Sequence, residues 1–175
     1  HLMFPAVYPP QGNDRGVDRY RSAVLTISAM GAIVVAVPYN DMYVLMIDVA
    51  ENRSWTLPQR YDSGPIEAYS TSIVTEMGFV VAPPYNEDRV LIVDPSQNTS
   101  YNIGPNMTGV DEKYMACALS DNATVYCVPY SATKVLAIQV SAISIRVKFL
   151  AQDYSGDEKY TSAVAAAVTR DVYAP

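Results

Sequence analysis

The side chains that carry most protein chemistry are scarce here. One histidine, His1, and two cysteines, Cys117 and Cys127, stand among 175 residues. An amino-terminal histidine that chelates copper works with a second imidazole, and there is none, so His1 reads as a solvated end or a cloning remnant. Nothing supports a Ser-His-Asp, a Cys-His or a paired-carboxylate arrangement, and no glycine-rich loop is present to cradle phosphate. Asp48 and Asp94 each follow a proline by ten residues and would suit a cation in a channel, but Gln139 holds the third equivalent position. Aspartate beside a strand end more often caps a turn. The sequence thus names no catalytic residue, no metal-ligand set and no cofactor.

The covalent chemistry is more telling. Asn-X-Ser/Thr sequons occur at Asn52, Asn98, Asn106 and Asn122. With 8 Asn and 24 Ser plus Thr in the chain, chance supplies about one, so four predict N-glycosylation and a secreted protein. The competing reading is that Asn is a turn residue and Ser and Thr are strand residues. Cys117 and Cys127 flank a turn at residues 120–123, so on antiparallel neighbours they can face each other near the about 5.5 Å Cα separation of a disulfide. Two buried thiols are the alternative. No leader peptide is visible and the first residue is not Met, so a processed or cropped amino terminus is expected.

Charge narrows the partners. With 12 basic against 18 acidic residues, a net charge of −6 and no basic cluster, neither nucleic acid nor an anionic membrane surface is expected. No apolar run approaches the ~18 residues of a spanning helix. Half of the residues are hydrophobic and only 17% charged, which is enough for a core in a chain of one domain's length.

What must position these residues is a repeat. Val35-Ala36-Val37-Pro38-Tyr39-Asn40, Val81-Ala82-Pro83-Pro84-Tyr85-Asn86 and Tyr126-Cys127-Val128-Pro129-Tyr130-Ser131 align on their prolines, and Val172-Tyr173-Ala174-Pro175 matches their first halves. The proline steps are 46, 45 and 46 residues. Tyr20, Tyr69, Tyr114 and Tyr160 form a second series, and the first copy holds three extra residues near Ala29-Met30-Gly31. Each unit reads as four short strands parted by turn residues. In the second copy these are 69–75, 79–82, 89–93 and 99–103, with Pro83 to Asp88 as a loop. The run from Ala163 to Val168, helical by propensity, falls on a first strand and turn.

Four antiparallel strands per ~45 residues is the period of a β-propeller blade. The small-Pro-Tyr-Asn, Val-Leu-Ile-Val-Asp-Pro and Asn-Thr elements between Val80 and Ile103 are similar to propeller repeats of the YVTN and kelch type, although the YVTN tetrapeptide and the paired kelch glycines are absent. The resemblance implies an all-β propeller with blades at 18–65, 66–111 and 112–157. A half blade follows at 158–175, and residues 1–17 return as a strand of that last blade. Three arrangements are open: a four-bladed ring with a clasp, part of a larger propeller, or open edges that pair between subunits.

Tyr39, Tyr85 and Tyr130 of the recurring Pro-Tyr loops either present a rim that contacts carbohydrate or peptide, or pack between blades. Glu112-Lys113, Asp157-Glu158-Lys159 and Asp18-Arg19 read as solvated loops entering each blade. The functional expectation is an extracellular structural or interaction module that binds other proteins or further copies of itself. An enzymatic or small-ligand-binding propeller using the central channel is the alternative.

Overall fold

A computed structural model describes residues 18–61, 67–121, 123–141 and 143–165. Apolar residues alternating with period two give three four-stranded antiparallel sheets, as the repeat predicts, with no helix among the described residues. The first sheet holds β1 (Tyr20–Ser28), β2 (Gly31–Pro38), β3 (Tyr43–Asp48) and β4 (Arg53–Arg60). The second holds β5 (Ile73–Val74), β6 (Val80–Ala82), β7 (Val90–Asp94) and β8 (Thr99–Ile103). The third holds β9 (Tyr114–Leu119), β10 (Thr124–Pro129), β11 (Lys134–Val140) and β12 (Ile145–Asp153). Within each sheet the strands lie in chain order. The first strands β1, β5 and β9 neighbour one another from sheet to sheet, and β4 lies near β8.

The expected first strand of the second unit shrinks to two residues. Its ladder pairs Ile73 with Val81 and Val74 with Val80, then stops. Continuing that register would set residues 71 and 70 against Pro83 and Pro84, which have no N–H to donate. In the first sheet Val37 occupies the position of Pro83, and its pairing with Ser22 survives. The three extra residues of the first copy lengthen its first hairpin, whose strands pair as far as Ser28 and Gly31.

Two cores fill the spaces between consecutive sheets. Ile33, Val35, Val44, Met46 and Leu57 of the first sheet meet Tyr69, Val80, Ala82, Leu91 and Val93 of the second. On the other face of the second sheet, Val81, Val90 and Ile92 meet Tyr114, Val125, Cys127, Leu136 and Ile138. The middle sheet is therefore apolar on both faces, which its nearly continuous run Val90-Leu91-Ile92-Val93 reflects. Each such buried aliphatic side chain contributes about 1.5–3 kcal/mol.

Residues 158–165 carry no strand. The rest of the expected fourth unit, 166–175 and 1–17 with His1, lies outside the described residues.

Candidate functional site

The recurring Pro-Tyr loops come together at one end of the sheets. At the end of β2, Tyr39 N–H donates to Arg19 O at 2.9 Å, and Ala68 N–H donates to Tyr39 O at 2.7 Å. The same step repeats from Tyr85 to Ala68 (2.9 Å), Lys113 to Tyr85 (2.9 Å), Tyr130 to Lys113 (2.8 Å) and Lys159 to Tyr130 (3.1 Å). One backbone relay thus threads all three sheets and fixes the loops to one another. The three rings follow it, with centroids 6.3 Å apart from Tyr39 to Tyr85 and 6.4 Å from Tyr85 to Tyr130.

A glutamate enters each step. Glu67, Glu112 and Glu158 have φ of 66°, 54° and 51°, a left-handed conformation that costs a non-glycine residue about 1–2 kcal/mol. The preceding loop's asparagine offsets this: Glu67 N–H donates to Asn40 Oδ1 at 3.0 Å and Glu112 N–H to Asn86 Oδ1 at 2.7 Å. The carboxylates then reach the tyrosines, Glu67 to Tyr39 and Glu112 to Tyr85. Burial, and after it these carboxylates, hold the hydroxyls of Tyr39 and Tyr85 above the ordinary tyrosine range. Arg21 donates to the Tyr39 hydroxyl at 2.8 Å. Tyr39 and Tyr85 are buried and Tyr130 is half-buried. The rings are tilted against one another, and the Arg21 guanidinium lies 5.2 Å over the Tyr39 ring.

Lys113 departs from the solvated loop expected for it. It is 2% exposed, and its ammonium donates to Asn86 O at 3.3 Å and Glu87 O at 3.0 Å. Burial pulls its pKa down, against the attraction of Asp88, Asp111 and Glu87. Asp48 and Asp94 cap turns. Asp48 Oδ1 accepts from Ala50 and Glu51 N–H and its Oδ2 pairs with Arg53 at 3.3 Å, while Asp94 Oδ1 accepts from Ser96 and Gln97 N–H. They close the third strand of their sheets, away from the first strands. No three ligating side chains converge among the described residues.

Cys117 and Cys127 form a disulfide between paired residues of β9 and β10, with Cα atoms 4.1 Å apart. That is closer than the separation expected from sequence and resembles the about 4.5 Å of the narrow pairs in an antiparallel ladder. Asn52 and Asn98 occupy equivalent exposed turns with φ of 50° and 54°, a conformation asparagine tolerates. Asn98 Oδ1 accepts from Trp55 Nε1–H at 2.7 Å. Asn106 is exposed and its Oδ1 accepts from Thr108 N–H. Asn122 lies outside the described residues.

Comparison with solved structures settles the architecture. The chain is similar to virginiamycin B lyase from Staphylococcus aureus, with a TM-score of 0.52 and 10% identity over 76% of this chain and 42% of that one. It is similar also to a chain of the Mitotic Checkpoint Complex, with a TM-score of 0.50 and 12% identity over 93% of this chain and 49% of that one. The fold is that of a β-propeller. A streptogramin B lyase aligns at 13% identity over 77% of this chain and 42% of that one, with a TM-score of 0.48. The propeller-like chain thus spans less than half the length of these structures. Neither a protein-family description nor a curated protein sequence matches it. No helix among the described residues is long and apolar enough to cross a membrane.

Proposed function

We propose that this chain is a secreted, N-glycosylated propeller module whose function is contact with other proteins, further copies of itself included. One observation carries the reading: on the face of the first sheet turned away from the second, Leu25 and Ile27 stand exposed beside partly buried aliphatics. Val24, Ile33, Val35, Val44 and Met46 point toward the second sheet. By the two-residue alternation of a strand, Leu25, Ile27, Val34, Leu45 and Ile47 point the other way. Leu25 is 58% and Ile27 71% exposed, an uncommon placement for large aliphatics in the middle of a strand.

The natural cover for such a face is another sheet of the same kind. The middle sheet presents this kind of face to the first sheet and is buried there. On the third sheet, Tyr126, Val128, Val135 and Ala137 occupy the face opposite the core residues Val125, Cys127, Leu136 and Ile138. Stacking that surface on Leu25 and Ile27 of another copy would repeat the contact made twice inside the chain. The disulfide and the exposed sequon asparagines fit an oxidising, extracellular setting. The similar chain in the Mitotic Checkpoint Complex supports the use of this fold in a protein assembly.

Light scattering at micromolar concentration tests the assembly. The oxidised protein, freed of glycans, should run larger than the 19.2 kDa of its polypeptide, and the double variant Leu25→Lys, Ile27→Lys should return it to that mass with its circular dichroism unchanged. A wild-type protein that stays strictly monomeric would remove the self-association reading.

A further inference from the structure

The junctions between consecutive repeats are built alike except in one place. Tyr61, Met107 and Tyr154 are equivalent, because the N–H of each donates to the carbonyl at the matching point of its own sheet: Tyr61 to Met42 O at 2.8 Å, Met107 to Asp88 O at 2.9 Å and Tyr154 to Thr133 O at 2.7 Å. Each precedes the tyrosine that opens the following unit. At the first junction the Tyr61 ring meets the Tyr69 ring edge to face, with centroids 6.4 Å apart and planes at 89°. At the last, Tyr154 meets Tyr160 the same way, at 6.0 Å and 87°. At the middle junction Met107 stands where the ring would be, and Tyr114 packs against no other ring among the described residues.

A cavity of about 330 Å³ opens there, lined by Met107, Tyr114, Ala132 and Phe149 and by the polar Thr108, Thr133 and Lys134, among others. An apolar cavity of ~150 Å³ holds benzene, and small-molecule sites begin near ~300 Å³. The space therefore suits one molecule of one or two rings. Its inner end differs from the first junction in polarity. There the Tyr61 hydroxyl donates to Ser100 Oγ at 2.7 Å. Ser100 pairs with Val93 in its ladder, and the residue paired with the matching Ile138 is Val147. Val147 thus offers no hydroxyl where Ser100 receives the Tyr61 phenol, and the hydroxyls that line the cavity are those of Thr108 and Thr133. The Lys113 ammonium is already engaged by Asn86 O and Glu87 O and that of Lys134 by Asp153, so the recognising surface is the Tyr114 and Phe149 rings with their apolar neighbours and the two threonines.

We propose that this cleft, formed by the third sheet and the connection that leads into it, is a binding site for a small aromatic molecule, whose ring packs beside Met107 against Tyr114 and supplies the ring contact that Tyr61 and Tyr154 make at the neighbouring junctions. The inference is independent of the assembly proposed above, since the cleft shares no residue with the Leu25 and Ile27 face.

Indole is the probe. Titrated into protein carrying ¹³C-labelled methionine methyls, it should shift the Met107 methyl saturably and leave Met46 unmoved. Met107→Tyr supplies the ring seen at the other junctions. It should fold, melt higher than wild type and bind indole at least tenfold more weakly. Ala132→Leu closes the same space from another wall and should also weaken binding at least tenfold, which keeps the test decisive should the tyrosine variant not fold. Cyclohexanol, of similar bulk without a ring current or π face, should bind more weakly than indole. The proposal is overturned by a Met107 methyl that does not move up to the solubility limit of indole, or by undiminished affinity in a folded filling variant.

Discussion

Reducing the Cys117–Cys127 disulfide removes a constraint whose size follows from its position. The cysteines are 10 residues apart in sequence and directly paired across the β9–β10 hairpin. Closing a loop of that length in the unfolded chain takes away about 9 cal/mol/K, or about 3 kcal/mol at 25 °C. The native hairpin retains its ladder pairs on either side of the bridge, from Leu119 with Val125 to Ala116 with Val128, so the reduced protein should still fold. It should do so with a folding equilibrium about 100-fold weaker and a Tm about 6–12 °C lower. Urea unfolding followed by circular dichroism, with and without reductant, measures the difference. Hydrogen exchange at β9 and β10 locates it, because a repeat array can open one sheet at a time. The variant Cys117→Ala, Cys127→Ala should lose somewhat more than reduction does, since Cys127 is fully buried in the second core and its sulfur packing goes as well. A loss below about 1 kcal/mol on reduction would refute the reasoning and show that the unfolded chain already holds these residues together.

Gly78→Ala should cost more than Gly109→Ala. Both glycines have positive φ, 82° and 85°, but a Cβ on Gly78 would meet the Ile27 carbonyl at 3.0 Å while one on Gly109 meets nothing within 4 Å. Denaturation should give about 1 kcal/mol for Gly109 and about 2–3 kcal/mol for Gly78, and equal losses would deny the contact between the first two sheets there. Alkali should destabilise the fold cooperatively. Burial pushes Tyr61 up to about 12 and Tyr69, Tyr85 and Tyr114 above the ordinary tyrosine range, so the native state keeps protons that the unfolded chain releases and stability falls as pH rises past about 10. Phenolate absorbance at 295 nm should show these tyrosines ionising only with unfolding, and a smooth titration near pH 10 for all would contradict their burial. Peptide mapping of protein secreted from a eukaryotic host should find hexose-bearing masses at Asn52 and Asn98, and unmodified peptides at all the described sequons would sink the glycoprotein reading.

The propeller was legible because its period is written twice, in the prolines that end second strands and in the tyrosines that open each unit. The paired cysteines were legible for a related reason: a turn of known place between two strands puts residues at fixed offsets face to face. The shortening of β5 was harder to see. Pro83 and Pro84 were visible, yet their effect falls on residues 70 and 71 across the ladder, and only the register reveals that. Lys113 misled because lysine in a charged loop is usually solvated, whereas here the carbonyls of the preceding loop satisfy its ammonium. The left-handed glutamates left no trace in composition, since glutamate has no preference for that conformation and the asparagines that hold it lie 27 and 26 residues earlier. The Tyr61, Met107 and Tyr154 series was present in the spacing all along, but it gained meaning only beside the rings it faces.

The relay that runs from Lys159 through Tyr130, Lys113, Tyr85 and Ala68 to Tyr39 and Arg19 has a sense of direction. Every amide in it points the same way around, so the run is polar, with an N–H sense at one end and a carbonyl sense at the other. A sheet that extends the relay can do so only in that same sense, with its own donor meeting Lys159 O or its own carbonyl meeting Arg19 N–H. Two copies joined through it would be related head to tail, without a twofold axis. Such an arrangement has two outcomes, closure into a ring or a helical filament that keeps growing, and the rotation per sheet decides between them.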